Sequence, residues 1–241
     1  MKNLARLFGI TVLIGLLVTA CPTGGGDVGD EVPNSSCPLG PTLTLSGQVY
    51  TIEDTGFTPF QGSLSINSVG GIGGNGAVTN GQFSFNISTP NALEPLTQPP
   101  VESGGTFTNV QISPADARGV GLNLEITGNP DYNYLFRMDV GLAMSQTLMY
   151  ISESVYYVYV DRDVTMTGGP GTSSTSSING SLTLVTSGFN ISLKQGWNAM
   201  YLKTVYPDPV ESQNNRIHAN MSMSAANPSH LKWVAQWVDY D

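Results

Sequence analysis

The stretch Ala77-Val78-Thr79-Asn80-Gly81-Gln82-Phe83-Ser84-Phe85-Asn86-Ile87 predicts a β-hairpin, and with it a fold built from strands. Asn80-Gly81 tolerates the positive φ angles of a two-residue turn. After this turn, apolar side chains occupy every second position, which is the period of a half-buried strand. We therefore expect Phe83, Phe85 and Ile87 to point into a hydrophobic core.

Similar alternation precedes and follows this hairpin. Residues 43–52 alternate until Gly47, and Tyr50 and Ile52 after it suggest a phase change or a bulge at that glycine. Residues 155–160 are instead a continuous run of β-branched and aromatic side chains, as in a strand that is buried on both faces. Further strands are expected at 63–67, 106–112, 120–126, 134–140, 146–152, 164–167, 181–185, 189–193, 197–205 and 216–224.

Together these strands predict an all-β fold, an antiparallel β-sandwich over residues 43–241. Prolines between 90 and 100 end the first series of strands. One continuous domain and two lobes, at 43–100 and 105–241, are both compatible with this pattern.

The last segment has two interpretations. Leu231, Trp233 and Ala235 alternate as a strand would, whereas Asn227-Pro228 is a suitable start for a helix. The alternation favours a strand.

Residues 1–20 have the layout of a secretory signal peptide, with a basic start and an apolar run at 7–18. This run is too short for a membrane-spanning helix, which needs roughly 20 apolar residues. The small residues Thr19-Ala20 precede Cys21, which resembles the lipobox of bacterial lipoproteins. The resemblance implies that residues 1–20 are removed and that the Cys21 thiol carries lipid, with palmitate-type acyl chains as the membrane anchor. The alternative is an ordinary signal peptide that ends beside a cysteine.

The residue after the cysteine bears on location. In Gram-negative lipoproteins an aspartate at that place often signals retention at the inner membrane, and here it is Pro22. The resemblance therefore implies anchoring in the cell outer membrane, on either its periplasmic or its surface face.

Residues 21–42 predict a disordered tether behind the lipidated Cys21. The segment is rich in glycine, proline and acidic residues and has almost nothing apolar to bury, so folding cannot repay its ordering entropy. Cys37 lies within it, and with Cys21 acylated no intramolecular disulfide partner remains. We expect Cys37 to be a solvent-exposed thiol, or alternatively an intermolecular cross-link in an oxidising compartment.

The net charge narrows the range of partners. The chain has 9 Lys and Arg against 18 Asp and Glu. Removal of Lys2 and Arg6 with the signal leaves 7 basic residues against 18 acidic ones, a net charge of −11. Such a chain repels phosphate backbones and anionic headgroups, so we expect no nucleic-acid partner and no basic membrane-docking patch.

Parts of the chain resemble a group of bacterial proteins. The patterns at 45–50, 62–66, 78–85, 159–168 and 193–198 are similar to those of uncharacterised lipoproteins of spirochaete-type bacteria. The first lobe also resembles prealbumin-like β-sandwich modules. Neither resemblance implies an activity.

Acidic and histidine side chains are the candidates for a metal site or a catalytic site. Asp161 and Asp163 flank Arg162 and are too few for a calcium site without further oxygens, so a solvated strand edge is the simpler interpretation. His218 and His230 have no metal-ligand spacing, and a zinc site or a catalytic triad would need long-range assembly. Glu153 with Glu211, or Asp139 with Glu125, could pair as the carboxylates of a glycoside hydrolase, although any all-β chain with 18 acidic residues offers such pairs.

Aromatic residues and a glycine-rich run are the remaining candidates for a binding site. The aromatic residues are either a sugar-stacking platform or the core of the sandwich, and the core is their usual place; they are Trp197, Trp233, Trp237, Tyr156, Tyr157 and Tyr159. The glycine-rich run at 70–74 lacks the lysine and helix of a phosphate-binding loop.

Three hypotheses follow. The first is a non-enzymatic lipoprotein whose body is a structural or interaction module, with an unidentified protein or glycan partner, no cofactor and no metal. The second is a carbohydrate- or ligand-binding lipoprotein, and the third is a hydrolase.

Overall fold

A computed structural model describes residues 36–53, 56–69, 72–99, 107–144, 148–177, 180–206 and 216–236. Across these ranges the chain forms strands and no helix, so the all-β prediction is confirmed. The described residues therefore contain no helix long and apolar enough to cross a lipid bilayer. The strands are β1 (Pro38–Gly40), β2 (Leu43–Glu53), β3 (Gly56–Pro59), β4 (Leu64–Ser68), β5 (Asn75–Val78), β6 (Gln82–Ile87), β7 (Glu94–Pro95), β8 (Thr108–Ser113), β9 (Arg118–Gly121), β10 (Leu124–Thr127), β11 (Tyr134–Met144), β12 (Leu148–Val160), β13 (Val164–Gly169), β14 (Gly171–Ser177), β15 (Gly180–Thr186), β16 (Phe189–Leu193), β17 (Gly196–Tyr206), β18 (Arg216–Ser224) and β19 (Lys232–Gln236).

The strands form one large sheet and one small one, consistent with a β-sandwich. The main path of the large sheet runs β14-β15-β18-β17-β12-β11-β10-β4-β5, and the small sheet runs β16-β13-β8. Pairing is antiparallel except for β15 with β18 and β19 with β2. Strand β12 lies in the middle because β11 and β17 both pair along much of its length.

The turn at Asn80-Gly81 forms as predicted, with φ angles of 50° and 75°. Thr79 and Gln82 exchange backbone hydrogen bonds across it, with N···O distances of 2.9 and 3.0 Å. The two strands then separate, since β5 pairs with β4 and β6 pairs with β2. Side chains at 83, 85 and 87 are buried as expected. The predicted hairpin is therefore a tight turn whose two strands pair with different neighbours, β5 with β4 and β6 with β2.

Strand β2 does not change phase at Gly47, so that expectation is wrong. Leu45 and Val49, on either side of the glycine, are both buried, while Ile52 is 45% exposed. A side chain at position 47 would collide with the indole of Trp233, with its Cβ 2.8 Å from a ring carbon. Glycine is therefore present because an aromatic ring crosses the strand, and the alternation continues past it.

One hydrophobic core includes buried residues from both predicted lobes. Phe83 from the first lobe packs edge-on against Trp233 at 5.3 Å between ring centroids, and Tyr157 stacks on the same indole at 6.0 Å. Strand β19, near the end of the chain, pairs with β2 near its start. The segments 43–100 and 105–241 therefore share one core in the described structure.

The predicted tether extends too far towards the C-terminus. Residues 38–40 form strand β1, which pairs with β17. Cys37 is fully buried, and its carbonyl oxygen accepts a hydrogen bond from the Ala199 amide at 3.0 Å. The expectation that Cys37 is an exposed free thiol is wrong, because it is buried and disulfide-bonded. Residues 21–35 of the proposed tether, with Cys21 among them, lie outside the described residues.

The C-terminal segment forms strand β19, as the alternation predicted. It pairs antiparallel with β11, and Trp233 and Ala235 are buried. Residue 237 lies outside the described part of the chain.

Candidate functional site

A row of polar side chains crosses three neighbouring strands of the large sheet. Asp139 on β11 lies opposite Glu153 on β12, and Glu153 lies opposite Lys203 on β17. Tyr201 lies on the same face of β17 because it is two residues from Lys203. His230 reaches the row from the connection between β18 and β19. We call these five residues the Glu153 cluster.

Glu153 is the centre of this cluster. Tyr201 donates a short hydrogen bond to its Oε1 atom, and His230 Nε2 lies 3.0 Å from its Oε2 atom. The Lys203 ammonium is 3.6 Å from Oε1. The Glu153 side chain is 15% exposed, whereas those of Lys203 and His230 are 38% and 52% exposed. The carboxylate is thus sheltered while its partners reach solvent.

These contacts determine the protonation of the central pair. Burial raises the pKa of Glu153, but hydrogen bonds from Tyr201 and His230 and the charge of Lys203 outweigh burial and leave it below its ordinary value. Burial and the hydrogen bond to Glu153 raise the pKa of Tyr201. Around neutral pH the carboxylate is therefore ionised and the phenol keeps its proton.

Three members of the cluster have the atoms that a metal ion needs. One ligand atom from each of Asp139, Glu153 and His230 lies within 4.8 Å of the other two. Carboxylate oxygen and imidazole nitrogen are both common metal ligands. The arrangement can hold a divalent cation, or it can act as a plain network of ion pairs.

Arg137 lies on the same face and holds the segment that carries His230. Its guanidinium donates hydrogen bonds to the Tyr157 hydroxyl at 2.8 Å and to the Pro228 carbonyl at 3.0 Å. It also lies 5.9 Å from the centre of the Trp233 ring. Residues 225–231 are therefore attached to the sheet at two points, through Arg137 and through Glu153.

A separate groove lies between residues 94–99 and 119–123, with Tyr156 in its wall. Its volume is about 380 Å³, and its lining combines apolar residues such as Leu96 with polar residues such as Gln98 and Asn123. Its size and mixed lining suit a small ligand.

Asp161 and Asp163, which the sequence favours as a solvated strand edge over a calcium site, are engaged in ion pairs. Arg162 contacts Asp161 at 2.8 Å and Asp116 at 2.9 Å. Lys194 contacts Asp163 at 2.8 Å. The pKa values of Asp161 and Asp163 are lowered, chiefly by hydrogen bonds from Arg162 and Lys194 respectively. The site is a solvated edge whose carboxylates already have cationic partners.

Of the two carboxylate pairs considered for glycoside hydrolysis, only Asp139 with Glu125 can be compared with the structure. Asp139 lies opposite Glu153 and not opposite Glu125. Glu125 lies on β10, opposite Tyr134. Residue 211 is outside the described part of the chain.

The structure describes the side chain of only one of the two histidines, His230. His230 joins the Glu153 cluster through long-range assembly. The backbone of His218 lies in β18, but its side chain is outside the described residues.

Most of the aromatic candidates lie in the core. Trp197 is fully buried, and Trp233 and Tyr157 are only 6% and 4% exposed. Tyr156 and Tyr159 are partly buried and pack against the core. The described residues therefore favour the core interpretation over a sugar-stacking platform.

Sequence analysis did not identify Tyr201 or Lys203. Both lie in the predicted strand 197–205, on a face that is partly exposed there, whereas Leu202 and Thr204 on the other face are buried. Only the strand register brings them next to Glu153 on β12, and no local pattern contains that information.

Comparisons with protein-family models, with curated proteins and with solved structures found no match.

Proposed function

We propose that this protein is a lipid-anchored lipoprotein of the cell envelope whose all-β body is a non-enzymatic structural or interaction module. The observation that carries the proposal is the N-terminal sequence. A basic start, an apolar run and small residues lead directly into Cys21. Acyl chains on this cysteine would anchor a body whose net charge is strongly negative.

The position of β1 limits how far the body could be from the membrane. Cys37 is already part of the folded body, and it is 16 residues from Cys21. A chain of this length spans at most roughly 55 Å even when fully extended. Partners of the body should therefore lie close to the membrane surface.

Lipid on Cys21 is compatible with only some states of the second cysteine, Cys37. Cys37 is disulfide-bonded, and the chain has only two cysteines. A sulfur atom cannot carry both a disulfide and a lipid thioether. Lipid on Cys21 therefore requires that Cys37 is reduced or is paired with another molecule.

Metabolic labelling with radioactive palmitate tests the anchor. We expect label in the wild-type protein and in Cys37→Ala, and none in Cys21→Ala. Equal label in the wild type and Cys21→Ala would reject the proposal, as would an unlabelled secreted chain whose two cysteines are joined. Membrane fractionation with protease added to intact cells then distinguishes the outer membrane from the inner and the surface face from the periplasmic face.

Ligand binding is a second candidate, and the groove beside Tyr156 favours it. A volume of about 380 Å³ accommodates a small ligand or part of a glycan. Saturation-transfer NMR against a glycan library tests this, with Tyr156→Ala as the variant. Signals that persist in that variant would place any binding elsewhere.

A hydrolase is the third candidate and has less support. His230 pairs with Glu153, but in the described part of the chain the structure shows no serine hydroxyl hydrogen-bonded to this histidine. Loss of esterase and glycosidase activity in His230→Gln would be needed to favour this function.

A further inference from the structure

We propose that Asp139, Glu153 and His230 form a binding site for a divalent transition-metal ion, with Zn²⁺ as the best-suited ion. Their ligand atoms lie within 4.8 Å of one another. The proposal goes beyond the envelope function above and does not depend on it.

The sheet itself places the two carboxylates. Asp139 and Glu153 are direct cross-strand partners on adjacent antiparallel strands. Like charges in this position destabilise a sheet. The Lys203 ammonium, 3.6 Å from Glu153, already offsets part of this repulsion. A divalent cation bound by both carboxylates would offset it further.

The third ligand comes from a different element and is held near the pair. His230 Nε2 is 3.0 Å from the nearer oxygen of Glu153. Two ligands of one tetrahedral Zn²⁺ ion, each about 2.0–2.2 Å from it, are separated by about 3.3–3.6 Å. The three ligand atoms lie within 4.8 Å of one another, so no pair needs to approach by more than about 1.5 Å. The His230 side chain is 52% exposed and has room to move. The Arg137 contact with Pro228 keeps this segment in place while the histidine adjusts.

The ligand types select the class of ion. One imidazole nitrogen with two carboxylate oxygens suits Zn²⁺ and similar transition-metal ions. Calcium and magnesium prefer shells made of oxygen alone. Three protein ligands leave a fourth tetrahedral position for water.

Lys203 competes with the metal ion for the same carboxylate. Its ammonium lies 3.6 Å from Glu153 Oε1 and is 38% exposed, so it can move into solvent when a metal ion binds. Removing this positive charge should strengthen metal binding. A general loss of structure would weaken metal binding, so this variant separates the site from a folding defect.

Isothermal titration with zinc sulfate tests the proposal on the full-length, tag-free chain in detergent after treatment with a chelator. We expect one Zn²⁺ per chain and affinity for Ca²⁺ and Mg²⁺ that is lower than for Zn²⁺. His230→Ala and Glu153→Gln should each weaken Zn²⁺ binding by about tenfold or more, since even residues that only support a ligand have effects of that size. Asp139→Asn should act in the same direction.

Two further variants complete the test. Lys203→Met should tighten Zn²⁺ binding by about two- to fivefold, the range expected for losing one exposed ion-pair partner. Asp161→Asn alters a carboxylate that is bound to Arg162 elsewhere on the surface, so its affinity should equal that of the wild type. Absence of binding in the wild type, or equal binding in His230→Ala and Glu153→Gln, would overturn the proposal. Weaker binding in Lys203→Met would overturn it as well.

Discussion

Replacing Gly81 by alanine tests the tight turn that joins β5 to β6. Gly81 has a φ angle of +75°, and an added Cβ would overlap the carbonyl oxygen of Phe60. Its amide donates to the Gly62 carbonyl at 3.1 Å, and its carbonyl accepts from the Val49 amide at 2.8 Å. The glycine is thus enclosed by backbone on several sides and has little freedom to move away.

Gly128 offers a matched control because its φ angle is also +75°, with no heavy atom within 4 Å of an added Cβ. Alanine in this left-handed conformation costs about 1–2 kcal/mol at either site. Forcing a backbone shift at Gly81 adds about 1–3 kcal/mol. Gly81→Ala should therefore lower the free energy of unfolding by about 2–5 kcal/mol, and Gly128→Ala by about 1–2 kcal/mol. The gain from a less flexible unfolded chain is common to both variants and cancels in the comparison.

Urea unfolding followed by tryptophan fluorescence measures this difference, since Trp197 and Trp233 are buried. A difference of about 2 kcal/mol corresponds to a midpoint shift of about 1 M urea for a slope near 2 kcal/mol/M. All samples should be kept in the same redox state because Cys37 is disulfide-bonded. Equal midpoints for Gly81→Ala and Gly128→Ala would refute the close backbone approach at this turn.

Other positions give further predictions. Ile191 is fully buried and Ile52 is 45% exposed, so alanine should cost about 2–5 kcal/mol at the first site and under about 0.5 kcal/mol at the second, as measured by the same unfolding assay. Alanine at Gly196, where φ is +100°, would place Cβ 2.6 Å from a carbonyl oxygen of β1. Hydrogen–deuterium exchange should then accelerate at the Ala199 amide of β17, which donates to the Cys37 carbonyl just before β1. Unchanged protection of this amide would show that β1 does not pack against β17. The Arg162 hydrogen bond lowers the pKa of Asp161, so its stabilising effect is present above the ordinary value of 3.8 and is lost as pH falls through the lower, folded-state pKa. Asp161→Asn should therefore lose less stability than the wild type when acidified from neutral pH, and identical pH profiles would contradict this.

The candidate site shows what local sequence patterns can and cannot predict. The sequence indicates Glu153, Asp139 and His230 as candidates, but it does not indicate that these three meet. Their meeting depends on the register between β11 and β12 and on the path of residues 225–231. A register shift of one residue would send Asp139 to the opposite face, so no single segment of sequence contains this information.

Local alternation by itself determined that the chain is all-β, where most strands lie, and that Asn80-Gly81 turns. These features depend on neighbouring residues, because side-chain period and turn conformation are properties of a short segment. Only the tertiary structure decided that the strands on either side of that turn take different partners, that β2 pairs parallel with β19, and that Cys37 is buried. Each of these depends on which distant surfaces meet in a shared core, and burial of hydrophobic side chains drives that meeting without a sequence-local signal.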